Sequence, residues 1–161
     1  MEVEAKAPCP DASAKVKSLG AEYVKSESQT DTYFRHPVRD FSETDEALRI
    51  RRTDDLVITY KGPKHDSDLK VREEIEFTVP EDAYTLLTRL GFEEAFTVKK
   101  KRETYELDGL TICCDLVEGL GEYVEVESAD PGDHDKIIAV LDKLGVNDQA
   151  TTMTYSQLLN L

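Results

Sequence analysis

Residues 1–6 read MEVEAK, where charge alternates with apolar side chain at a period of two. In an extended strand Glu2, Glu4 and Lys6 share one face, and Val3 and Ala5 take the other. A single half-buried strand facing water has this pattern too. It decides the fold because it recurs. EVEAKAPCPDASAKVKSLG (2–20) opens the chain, REEIEFTVPEDAYTLLTRLG (72–91) stands in its middle, and YVEVESADPGDHDKIIAVLDKLG (123–145) lies near its end. Each copy holds Glu-x-Glu in an alternating strand, then proline, an acidic turn and an amphipathic helix closing in Leu-Gly.

The helices follow from spacing. Val16 and Leu19, then Tyr84, Leu87 and Leu90, then Ile137, Leu141 and Leu144 recur at helical intervals. Asp11, Glu81/Asp82 and Asp133/Asp135 stand where helix N-termini favour caps and negative charge. Gly20, Gly91 and Gly145 suit the left-handed position past a helix end. Further period-two runs lie between the repeats: ALRIRR (47–52), LVITYKG (56–62), VREEIEF (71–77), VKKKRETYEL (98–107), LTICCDLVEG (110–119) and EYVEVE (122–127). Turns are expected at Gly62-Pro63, Asp108-Gly109 and Gly119-Leu120-Gly121, and polar loops at 41–46 and 64–68. This predicts an α+β domain with about eight mostly antiparallel strands and three helices.

One sheet face gathers Glu2, Glu4, Glu74, Glu76, Asp115, Glu125 and Glu127 with Lys6, Arg49, Arg51, Lys61, Arg72, Lys100 and Arg102. Seven acids meet seven bases there, although the whole chain holds 34 acids and 20 bases. The face is therefore enriched in cations. Two arrangements fit: an open sheet with this face in water, or a barrel with it inside. Closure removes edge strands, and eight strands leave room for one small ligand. An ionic interior is costly unless paired or neutralised by ligand and metal, so a barrel of this kind would be a site. Paired carboxylates with no His or Cys in phase suit Mg²⁺ or Mn²⁺, and forked cations beside them suit a polyphosphate. His36, His65 and His134 read as surface residues. No P-loop or dinucleotide fingerprint is present.

The 161 residues fit one domain, 1–161, and the net charge of −14 argues against nucleic acid as a partner. No apolar run suits a membrane span or signal peptide. Cys9, Cys113 and Cys114 are an odd number, and adjacent strand residues point apart, which suggests reduced thiols in the cytoplasm. A homodimer is compatible with an exposed sheet of this size, though no patch marks one.

Glu2-x-Glu4-x-Lys6 resembles the signature of CYTH domains, also called triphosphate tunnel metalloenzymes. The likeness continues through DTYF (31–34), LRIR (48–51), ITYKGP (58–63), REEIEF (72–77), KKR (100–102), DLVEGLGEYVEVE (115–127) and TYSQLL (154–159). The YKGP turn, the Gly-Leu-Gly segment and the terminal TYSQLL are most similar to class IV adenylyl cyclases of the CyaB type. The resemblance implies an eight-stranded antiparallel β-barrel, or tunnel, with helices packed outside, binding a triphosphate with divalent metal. By position it implies Glu2, Glu4, Glu125 and Glu127 as metal ligands with Asp115 near the metal. Arg49, Arg51, Lys61, Arg102 and Lys100 would then hold phosphate, and Lys6 would contact phosphate or position the nucleophile. Glu74 and Glu76 would hold metal, fix the arginines or meet the substrate, and Arg72 would pair with these acids. The implied reaction is formation of cyclic AMP and pyrophosphate from ATP. The alternatives are hydrolysis of tripolyphosphate or thiamine triphosphate, and non-catalytic nucleotide or polyphosphate binding.

Overall fold

The structure is a computed structural model and describes residues 1–65 and 67–161. Among these residues there are nine strands. They are β1 (Glu2–Pro8), β2 (Glu22–Arg35), β3 (Ala47–Arg52), β4 (Leu56–Lys61), β5 (Lys70–Arg72), β6 (Glu74–Val79), β7 (Glu93–Leu107), β8 (Leu110–Val117) and β9 (Gly121–Ser128). All pair antiparallel in one sheet, ordered β5-β1-β9-β8-β7-β2-β3-β4-β6.

Eight expected strands become nine because VREEIEF is divided at Glu73. Its first part pairs with β1 and its second with β4. The backbone ladder is therefore open, but its two terminal strands are consecutive in the chain, so Glu73 joins them covalently. Arg72 spans the gap rather than pairing with the neighbouring acids. Its guanidinium donates to the carbonyl oxygens of Gly62 at 2.6 Å and Asp45 at 3.1 Å. The Gly62 N–H donates to the Glu73 carbonyl at 3.0 Å. The result is a barrel-like tunnel with one seam.

The repeat helices are α1 (Ala12–Ser18), α3 (Asp82–Arg89) and α4 (His134–Leu144); α2 (Phe41–Thr44) and α5 (Tyr155–Leu158) are single turns. α2 occupies the expected loop at 41–46, because Asp40 caps it by accepting from the Ser42 N–H. Of the expected loop at 64–68, Asp66 lies outside the described residues. Asp11, Glu81 and Asp133 do stand at helix starts, yet none makes a side-chain capping bond. They stand there as charges near a positive helix end, with Glu81 also accepting from Arg52 and Asp133 from the Ser128 hydroxyl. Gly91 ends α3 with φ of +94°, and a Cβ there would meet Pro37 at 3.1 Å. Only glycine adopts that backbone without strain.

Apolar side chains point outward from the tunnel and under the helices. Val3, Ala5, Ile112, Val124 and Val126 pack beneath α1 and α4, against Val16, Ile137 and Leu141. Ile50, Phe34 and Leu56 pack beneath Ala83 and Leu87 of α3. Val98, Val117 and Tyr123 meet Tyr155 of α5. Adjacent Cys113 and Cys114 are both buried and unbridged, the second within the α1/α4 core. Turning the aliphatic face outward leaves the ionic face inside, where Glu4, Lys6, Asp31, Asp115 and Glu125 are all buried.

Candidate active site in the tunnel

Antiparallel register brings the ionic residues together in cross-strand pairs. Between β1 and β9, Glu4 stands opposite Glu127 and Lys6 opposite Glu125. Between β1 and β5, Glu4 also faces Lys70. Asp31 faces Arg51 across β2/β3, Arg102 faces Asp115 across β7/β8, and Lys61 faces Glu74 across β4/β6. They enclose a cavity of about 140 Å³. A larger hollow of about 560 Å³ lies partly under α1, lined by Ser13, Ser26, Ser28 and Glu103 among others. There Ser13 already donates to Glu103 at 2.8 Å, and Glu122 already accepts from the Asp11 N–H at 2.8 Å. Glu27, Lys101, Arg102, Asp115 and Glu122 also line that hollow, but the close Glu2/Glu4/Glu127 trio and the buried Arg49, Lys61 and Lys100 belong to the smaller tunnel, and the chemistry is placed there.

On one wall, a carboxylate oxygen from each of Glu2, Glu4 and Glu127 lies within 4.8 Å of the others. Three anions this close resist ionisation. Burial, together with Glu4 and Glu127, pushes Glu2 up to about 9 despite the pull of Lys61. Burial, with Glu125 and Glu4, pushes Glu127 up to about 7 despite Arg102. Glu4 differs: burial raises it, but Lys70, whose ammonium is 2.9 Å away, Lys6 and Lys61 hold it well below the usual carboxylate range. A cluster of hard oxygens that repel one another fits a divalent cation. Asp115 and Glu125 stand outside this trio. Both Asp115 oxygens accept from Arg102 at 2.7 Å, and Glu125 lies 3.0 Å from Arg102 and 3.4 Å from Lys6.

The facing wall is cationic. Arg51 forks onto Asp31 at 2.7 and 2.8 Å, and Lys100 meets the same carboxylate at 2.7 Å. Burial and the neighbouring Arg51, Arg102 and Arg49 pull Lys100 down to about 7, although Asp31 opposes them. Arg49 is buried, with its Nε lacking a hydrogen-bond partner, and Glu76 is 3.9 Å away. Lys61 lies between Glu2 at 3.7 Å and Glu74 at 3.5 Å, and Glu74 Oε2 is likewise buried without a hydrogen bond. The unpartnered Arg49 Nε among clustered cations on one wall and crowded carboxylates on the other are what a metal-chelated polyanion would satisfy.

The cavity deepens from Glu76, whose side chain is 46% exposed, to Lys6 and Lys100, both 2% exposed. Lys70 and Tyr155 of this lining, and Asp31 behind it, were given no role from the sequence. Lys70 had a signal, since it falls in phase with Arg72, Glu74 and Glu76. Asp31 sits on β2, whose polar run YVKSESQTDTYF carries little apolar alternation. Tyr155 comes from beyond the sheet, and nothing in its local sequence connects it with the tunnel. The histidines stay outside; His134 starts α4 and contacts Asp68.

A CYTH domain model matches residues 1–152. A Methanocaldococcus jannaschii protein provisionally named an adenylate cyclase is 42% identical over 128 residues, 76% of this chain and 73% of that one. A solved Pyrococcus horikoshii structure is 41% identical with a TM-score of 0.92, covering 99% of this chain and 98% of its own. A Hippeastrum protein provisionally named an adenylyl cyclase, and described as having a dominant triphosphatase activity, shares the fold at 19% identity and a TM-score of 0.73, covering 99% of this chain and 94% of its own. The family model takes in every strand of the tunnel and both of its charged walls, and the chain belongs to the CYTH domain family.

Proposed function

We propose that the tunnel binds a triphosphate with Mg²⁺ or Mn²⁺ and converts ATP to cyclic AMP and pyrophosphate. The observation that carries the reading is that one small cavity holds both the Glu2/Glu4/Glu127 trio and the cations Arg49, Arg51, Lys61 and Lys100, of which Arg49 has a buried Nε without a partner. The cyclase assignment is supported by the name of the 42% identical relative. A divalent cation held by the trio would supply charge neutralisation and activation of the nucleophile. Arg49, Arg51, Lys61 and Lys100 bind phosphate oxygens and stabilise charge on the leaving group. Lys6 remains an ammonium: burial lowers it, but Glu4 and Glu125 outweigh burial and raise it. It therefore orients substrate and donates hydrogen bonds rather than removing a proton. Arg102 holds Glu125 and Asp115 in place, and Glu74 and Glu76 stand at the mouth beside Lys61 and Arg49.

Triphosphate hydrolysis is the second reading. It is favoured by the lining, in which Ala47, Tyr33 and Tyr155 are the uncharged residues besides Thr154, leaving little apolar surface for a purine. The Hippeastrum protein, similar in fold, is described with that activity. Incubation with Mn²⁺ and, separately, ATP, tripolyphosphate and thiamine triphosphate distinguishes the two. Cyclic AMP plus pyrophosphate is the expected product from ATP; orthophosphate establishes the hydrolase, and binding without any product establishes a binding module. Arg51→Ala is expected to weaken tripolyphosphate binding about 10- to 100-fold by calorimetry, the scale of one charged hydrogen-bonding group. Its fold should survive because Lys100 still pairs with Asp31. Unchanged affinity would remove Arg51 from the clamp.

A further inference from the structure

Thr154 and Tyr155 of the terminal TYSQLL segment line the tunnel, while Leu158 and Leu159 pack on the apolar cluster outside it. Thr154 accepts from the Gln157 N–H and the Gln157 side chain accepts from the Thr154 N–H, a capping box that fixes α5. A short antiparallel bridge ties Thr151 to Lys6, with the Thr151 N–H donating to the Lys6 carbonyl at 2.9 Å. The Lys6 ammonium donates to the Met153 carbonyl at 3.2 Å. Tyr155, buried and packed edge-on against Tyr123, then sits among the groups at the deep end.

Its two ends do different things. The hydroxyl donates to Asp115 at 2.7 Å, on the carboxylate that grips Arg102. Burial, with Glu125 and Asp115, pushes this phenol well above its ordinary range, so it stays a donor. The ring takes the Lys6 ammonium at 4.8 Å and the Lys100 ammonium at 5.7 Å from its centroid. A carboxylate in that place would hold the two amines by neutralising them. Lys6 and Lys100 each have a carboxylate partner already, Glu125 at 3.4 Å and Asp31 at 2.7 Å, and the ring adds a quadrupole contact that neutralises no further charge.

We infer that Tyr155 is a positioning residue whose aromatic ring holds Lys6 and Lys100 in place for the phosphate oxygens of a triphosphate. This rests on the tunnel being a triphosphate site, and it gives the C-terminal turn a role in affinity.

The test measures tripolyphosphate binding by calorimetry, without metal, in the full-length protein. Tyr155→Phe keeps the ring and is expected to bind within about twofold of wild type. Tyr155→Leu keeps the bulk and is expected to bind about tenfold more weakly, or about 1.4 kcal/mol. Replacing Tyr155 with phenylalanines of rising fluorine content changes the quadrupole at nearly constant shape, and affinity should fall stepwise with each addition. That series answers the question even if the leucine variant does not fold. Wild-type affinity in Tyr155→Leu, or a flat fluorination series, overturns the role of the ring while the tunnel reading stands. Where binding needs Mn²⁺ the same series is read with it, and failure of the wild-type protein to bind tripolyphosphate with Mn²⁺ as well as without overturns both.

Discussion

Glu127→Gln is expected to lower Mg²⁺- or Mn²⁺-dependent turnover by about 100-fold or more, since even outer-sphere changes at metal sites cost about 10–100-fold. The same substitution should make the metal-free protein more heat-stable. Glu127 is held among Glu2, Glu4 and Glu125, and burial with that repulsion raises its carboxyl from 4.5 to about 7. A carboxyl with a raised folded-state pKa retains a proton that the unfolded chain has already released. It therefore contributes stability in full below pH 4.5, and loses it as pH rises through about 7. Glutamine does not titrate. The stability difference between variant and wild type should thus grow in the variant's favour across that window, then level off. Thermal melts at a series of pH values, with and without Mn²⁺, read both effects. A variant that keeps the wild-type metal-dependent rate rules out Glu127 as a ligand.

Arg102→Ala carries the largest expected cost to the fold, about 3–5 kcal/mol, because it removes one partner of a buried ionic group. Arg102 forks onto Asp115 and also reaches Glu125, and all three are buried. Without the guanidinium, Asp115 would retain the Tyr155 hydroxyl and Glu125 would retain Lys6. Neither substitute has the planar double contact, so Arg102→Lys should recover only part of the loss. Urea unfolding measures this directly, and a loss below about 1 kcal/mol would show that the network does not depend on Arg102. Arg51 differs because its partner keeps a second cation.

These two residues also illustrate what a chain with this patterning makes legible. Strict alternation in MEVEAK, EYVEVE and ALRIRR determines which side chains share a face, and the Leu-Gly helix ends determine what covers the other face. The curling of the sheet was not legible in that alternation, since a flat sheet satisfies the same period. Many counter-charges already stand on neighbouring strands, and curling adds contacts between strands that do not pair, as where Lys61 meets Glu2. Pairing across strands was equally hidden, because register is set by turns and bulges distributed over the chain. Asp115 illustrates this: its phase marks it as interior, but only the β7/β8 register turns it toward Arg102. Tyr155 was the least legible, being delivered from outside the sheet by a four-residue helix.

A cylinder laced all round by main-chain bonds yields only by losing several of them at once. Here the lacing is interrupted at Glu73, where a side chain grips carbonyl oxygens instead of one strand gripping another. At that joint, beside Glu2, Lys61 and Glu74, the Arg72 side chain and the Gly62 N–H bond to the Glu73 carbonyl stand in for the missing strand pair. The part of the wall next to the carboxylates that would receive the cation is thus fastened by a side chain.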